Sequence, residues 1–120
     1  MPTRKPPKTT ELCKIAVKAL EDLKAYDIKI LNVRKLTSIT DRMVIASGNS
    51  TRQVSALADK VMEAVRKRGI RPLGVEGVLE GDWALIDLGD VVVHIMRPMI
   101  RDYYQLEKLW SVKARKSAAG

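Results

Sequence analysis

The chain has one cysteine, one histidine and, between Arg71 and Arg97, neither a lysine nor an arginine. Cys13 alone gives no intrachain disulfide and no cysteine-rich zinc site. It fits a reducing compartment, and on a helix it reads as a small core filler. Long apolar runs are missing too: none approaches the roughly 18 to 20 residues that span a bilayer. The opening MPTRKPPKTT lacks the apolar stretch of a signal peptide, so the chain reads as cytoplasmic, with no membrane contact.

What is present fits one globular domain of 120 residues, 46% apolar and 30% charged. The net charge of +8 lies mostly at the ends. Residues 1–10 carry Arg4, Lys5 and Lys8, residues 111–120 carry Lys113, Arg115 and Lys116, and neither segment has an acid, which leaves +2 for residues 11–110. Both ends are expected to be basic, flexible tails, able to neutralise phosphates without sequence preference, around a domain at 11–110.

Apolar spacing at Leu12, Ile15, Ala16, Ala19, Leu20 and Leu23 predicts a first helix capped by Thr10. Asp27–Val33 and Arg42–Ser47 read as strands close enough in sequence to pair antiparallel. A second helix carries Val54, Leu57, Ala58, Val61, Met62 and Val65 and stops at Gly69. Its start, Ser47-Gly48-Asn49-Ser50, could hold a phosphate on free amides, but Ser50 and Gln53 form a capping box that occupies the same groups. Arg71–Gly77 predicts a third strand. Pro98 opens a last helix with the stripe Met99, Tyr103, Leu106 and Trp110. The fold class is α/β: one mixed sheet of about five strands with flanking helices.

The stretch Trp83 to Met96 is a hairpin, with Gly89-Asp90 as its two-residue loop. Counting outward from that loop pairs Asp87 with Val92, Ile86 with Val93, Leu85 with His94, Ala84 with Ile95 and Trp83 with Met96. One face (Ala84, Ile86, Leu88, Val91, Val93, Ile95) is aliphatic and belongs against helices. The other (Trp83, Leu85, Asp87, Val92, His94, Met96) mixes large apolar groups with a carboxylate and an imidazole. It suits a partner, or else a helix of the same chain covers it and His94 is a satisfied, semi-buried histidine. Glu76, Glu80, Asp82, Asp87 and Asp90 surround this region, so a partner should be basic.

A catalytic constellation is not found. Asp87 and Asp90 diverge across a turn, Glu80 and Asp82 flank a loop glycine, and His94 has no nucleophile at a fixed spacing.

The combination Ser38-Ile39-Thr40-Asp41, Ser47-Gly48 with Ser50-x-Arg52-x-Val54, Gly74-x-Glu76-Gly77, Asp82-Trp83, Asp87-x-Gly89-Asp90-Val91-Val92-Val93-His94 and Arg101-x-Tyr103-Tyr104-x-Leu106-Glu107-x-Leu109-Trp110 resembles the ribosomal silencing factor, or Iojap, family over about residues 10–110. Where many members carry an aromatic residue, this chain has Leu88 and Met96. The resemblance implies a nucleotidyltransferase-like fold without the activity, and no cofactor. It implies binding to the large ribosomal subunit through its fourteenth protein, which blocks joining with the small subunit and represses translation under nutrient limitation. On that reading Trp83 is the anchor, His94 and Met96 are its neighbours, Glu76, Asp82, Asp87 and Asp90 orient a basic partner, and Tyr104 adds a contact. The tails lie outside the resemblance and could reach nearby ribosomal RNA, and the hairpin face could serve a homodimer when the protein is free. The competing reading is a degenerate nucleotidyltransferase holding a nucleotide at Ser47 and Gly48, with Glu80 and Asp82 as its carboxylate pair.

Overall fold

The second helix shows how sequence becomes structure here. Val54, Leu57, Ala58, Val61 and Val65 recur every three or four residues, and all five are fully buried along one side of α2 (Thr51–Arg66). Ser50 Oγ accepts the Gln53 N–H at 3.1 Å, while Gln53 Oε1 reaches back to the N–H of Asn49, one residue beyond the usual partner. The helix closes at Gly69, whose φ of +78° lets Ile70 N–H return to the Val65 carbonyl at 3.0 Å.

The computed structural model describes residues 8–106 and residue 108. In chain order the other elements are α1 (Thr9–Asp22), β1 (Tyr26–Asn32), β2 (Arg42–Ser47), β3 (Gly74–Glu76), β4 (Trp83–Asp87), β5 (Val91–Met96) and α3 (Pro98–Tyr104). The expected tails at 1–10 and 111–120 lie outside the described residues, except that Lys8 precedes α1 and Thr9 and Thr10 are already helical.

The sheet order is β1-β2-β5-β4-β3. β2 and β5 run parallel and every other neighbouring pair is antiparallel, so the sheet is mixed, as expected. α2 is the crossover that carries the chain from β2 across two intervening strands to β3 at the far edge. Both α1 and α2 lie on the aliphatic side of the hairpin. Ala84, Ile86, Leu88, Val91, Val93 and Ile95 form one buried cluster with Leu20, Leu57 and Val61, and Cys13 is part of it, as a small filler.

Three local expectations are corrected. Thr10 is not the cap of α1: the helix starts at Thr9 with Lys8 at the cap position, because the Thr9 hydroxyl turns toward the Asp41 and Asp90 carboxylates instead. The third strand covers Gly74–Glu76, not Arg71–Gly77. Pro72 has no N–H to give, and Gly77 turns away at φ +73° with its α-carbon packed against the Trp83 carbonyl. α3 turns Ile100 and Arg101 inward and lays Tyr104 against Trp83, one position on from the expected Met99 and Tyr103, whereas Leu106 of the expected stripe does pack inward. Met99 and Tyr103 are exposed, Tyr103 by 81%, and Trp110 lies outside the described residues. The cause is Arg101, which is buried and donates from Nη1 to Ser47 Oγ at 2.7 Å; that contact fixes the rotation of the helix.

Candidate functional site

The hairpin register follows the turn. Leu88 N–H meets the Val91 carbonyl at 2.8 Å across Gly89-Asp90, Gly89 has φ +89°, and all five expected pairs from Asp87–Val92 to Trp83–Met96 are present. Asp87 Oδ1 fastens the turn by accepting the Gly89 N–H at 2.9 Å.

The face opposite α1 and α2 is neither bare nor fully covered. Met96 is completely buried with Val33, Met43 and Ile45, roofed by Leu36, Ile100, Leu106 and one side of Trp83. The intrachain cover weighed from sequence is thus realised at the centre of this face. Trp83 stays partly exposed at its end.

Three neighbours set the Trp83 ring. Its Nε1–H donates to His94 Nδ1 at 3.0 Å, with the ring centroids 5.8 Å apart. The Tyr104 ring lies 4.8 Å away at 52°, and Tyr103 meets Tyr104 at 5.0 Å, edge on. His94 is only 6% exposed, and burial pushes its pKa down to about 4, so at neutral pH Nδ1 is a free acceptor for the indole proton. Tyr104 is half exposed.

The carboxylates are spread out. Asp82 adjoins Trp83 and pairs with Arg97 Nη1 at 2.9 Å, so the cation flanking the lysine- and arginine-free stretch neutralises one of its acids. Glu76 is exposed on the edge strand opposite Leu85. Asp87 lies four residues along β4 from Trp83, about 13 Å away. Asp90 sits beyond it in the turn, where its carbonyl receives the Asp41 and Arg42 N–H groups and its carboxylate faces Thr9. Among the described residues Glu76, Glu80, Asp87 and Asp90 make no ion pair. The site is therefore an aromatic end formed by Trp83, Tyr104, His94, Met96 and Asp82, with Asp87 and Asp90 at the other end of the hairpin and Glu76 on its rim.

The sequence reading missed Tyr103 as an exposed neighbour of this aromatic end, and Met99 as exposed. Helical spacing alone would not have found them, since Met99 and Tyr103 are four apart just as Ile100 and Tyr104 are. At the other candidate position Ser47 is buried under Arg101, and a side chain at Gly48 would press on Val54 and Leu57 at 3.1 and 3.2 Å. Among the described residues no group of three or more His, Cys, Asp or Glu could hold a metal ion, and no helix is long and apolar enough to cross a membrane.

Comparison with known proteins gives concordant matches. The family model described as "Ribosomal silencing factor during starvation" matches residues 6–119. The ribosomal silencing factor RsfS of Chromobacterium violaceum is 47% identical over 110 residues, covering 92% of this chain and 90% of that protein. A mouse protein named "Mitochondrial assembly of ribosomal large subunit protein 1" is 35% identical over 101 residues, 82% of this chain and 44% of its own length. A crystal structure of a Chromobacterium violaceum protein, 48% identical, superposes with a TM-score of 0.86 over 88% of each chain.

Proposed function

The chain belongs to the ribosomal silencing factor family, and from that membership we propose that it acts by occupation of a surface, as a cytoplasmic translation repressor without catalysis. It docks on the large ribosomal subunit through the hairpin face, on a basic protein of that subunit, the fourteenth by family resemblance. From there it blocks joining with the small subunit when nutrients are scarce. The name of the mouse relative, which concerns assembly of a large subunit, supports the choice of subunit.

The observation that carries the reading is the Trp83 cluster. A large aromatic ring is fixed in one orientation by His94 and Tyr104, left partly open and flanked by Asp82, in a stretch without lysine or arginine whose other carboxylates lie farther off. A pre-oriented ring loses little rotamer entropy on binding, the unpaired carboxylates Glu76, Asp87 and Asp90 steer a basic partner into register, and Asp82 can exchange its exposed pair with Arg97 for the partner. In this account Trp83 and Tyr104 touch the partner, Glu76, Asp82, Asp87 and Asp90 orient it, and His94 and Met96 act from beneath by holding Trp83.

Light scattering of subunit joining tests this. Protein added to large subunits before mixing should slow joining, protein added to small subunits should do so no faster than it can transfer, and Trp83→Ala should weaken the effect about 30-fold, or ~2 kcal/mol. Joining at an unchanged rate with saturating wild-type protein would refute the proposal.

A further inference from the structure

The helical side of the molecule has the opposite electrical character to the hairpin. Segment 60–71 holds Lys60, Arg66, Lys67, Arg68 and Arg71 against the single acid Glu63, whereas segment 72–96 holds five carboxylates and no lysine or arginine. The fold keeps Lys60, Arg66, Lys67 and Arg68 apart from the hairpin face, because α2 packs on the aliphatic side of the sheet, away from Trp83 and Asp87; Arg71 instead lies two residues from Leu73, whose N–H meets the Asp87 carbonyl.

Several of these cations converge. Lys18 of α1 and Lys60, Lys67 and Arg68 line one open groove of about 290 Å³ between α1 and α2, and Arg66 and Lys67 line the hollow next to it. Lys60 and Lys67 are seven residues apart, hence on the same side of α2 and about 10 Å from each other. The acids present, Asp22, Asp59 and Glu63 in the groove and hollow and Glu11 beside Arg68, leave the cations Lys18, Lys60, Arg66, Lys67 and Arg68 in a small excess. Lys18 pairs with Asp22 at 3.8 Å, Lys67 with Glu63 at 3.1 Å, and Arg68 with Glu11, all between exposed side chains. Such pairs are worth about 0 to 1 kcal/mol and yield to a stronger anion. Lys60, Arg66 and Arg71 make no ion pair among the described residues. The Lys67 hydrogen bond, then the charges of Lys67 and Lys60, hold the Glu63 carboxyl below its ordinary value, as expected in a positive local potential.

The chemistry of this face selects among anions. α2 exposes no large apolar side chain that could enter a lipid surface. Two of the five cations that line the groove and the hollow, Arg66 and Arg68, are arginines, whose planar fork matches phosphate oxygens. We infer that the outer α1–α2 face is a second contact surface, which takes the phosphate backbone of a folded RNA without reading its sequence. This surface is separate from the hairpin.

The test is fluorescence anisotropy of the full chain against a labelled A-form RNA hairpin of about 16 base pairs, over a series of potassium chloride concentrations. Four proteins are compared: the wild type, the triple variant Lys60→Gln/Arg66→Gln/Lys67→Gln, the tail variant Lys113→Gln/Arg115→Gln/Lys116→Gln, and Trp83→Ala. The triple variant should bind roughly tenfold more weakly and flatten the slope of log K against log salt by about 2 to 3, with Trp83→Ala unchanged. Circular dichroism checks that it stays folded. A wild-type slope in the triple variant, with the loss carried by the tail variant, overturns the inference. So does binding of phosphatidylserine vesicles, but not RNA, through the same three residues. No ribosomal subunit enters the assay, so failure of hairpin docking would leave its outcome intact.

Discussion

At the residue scale the structure turns on the hydrogen bond from Trp83 Nε1 to His94 Nδ1. It requires a neutral imidazole, and burial of His94 supplies one by lowering its pKa from 6.5 to about 4. The unfolded chain therefore binds more protons than the folded one between those values. Stability from this group is complete above about pH 6.5 and falls as pH drops toward 4, by about 3 kcal/mol over the whole interval. Urea unfolding at pH 7 and pH 4.5 should show a loss larger by about 2 kcal/mol in the wild type than in His94→Gln, whose amide oxygen can still accept the indole proton. Equal losses in the two proteins would mean that His94 is not the group that titrates.

At the scale of elements, the hairpin was legible in the sequence, and so was the start of the last helix at Pro98, but the rotation of that helix was not, for a physical reason. A two-residue loop with glycine first leaves one register, so pairing and faces follow by counting from Gly89. The helical stripe proposed from Met99, Tyr103, Leu106 and Trp110 had no such anchor. The rotation of α3 is set by Arg101 reaching Ser47, 54 positions earlier in the chain, and a tertiary contact of that kind leaves no local signature. The same contact puts Tyr104 rather than Tyr103 against Trp83. Likewise, sequence placed Met96 beside Trp83 but could not say that the roof from Leu36, Ile100 and Leu106 leaves it no exposed surface. The end of β3 offers a test of how the site is aligned. A β-carbon at Gly77 would lie 2.0 Å from the Trp83 carbonyl, at a φ of +73°. Gly77→Ala should destabilise the protein by about 2 to 3 kcal/mol and alter the near-ultraviolet circular dichroism of Trp83, whereas a stability within about 0.5 kcal/mol of wild type would show that this approach is not tight.

At the scale of the whole molecule the net charge of +8 conceals a polarity. The tails and the α1–α2 side are basic, while the lysine- and arginine-free stretch from Pro72 to Met96 carries five acids and an aromatic cluster at one end. A protein that blocks by occupying a surface needs no catalytic constellation; it needs a rigid body with a chemically distinct face. The sheet supplies the rigidity, the helices filling one side and α3 covering only part of the other. The central claim is that the Trp83 face docks on the large ribosomal subunit. Co-sedimentation on a sucrose gradient with free large subunits, free small subunits and joined ribosomes, with Trp83→Ala run alongside, tests it most directly. The wild type should travel with free large subunits alone and folded Trp83→Ala should remain at the top; wild type travelling with neither subunit, or equally with both, would contradict the account.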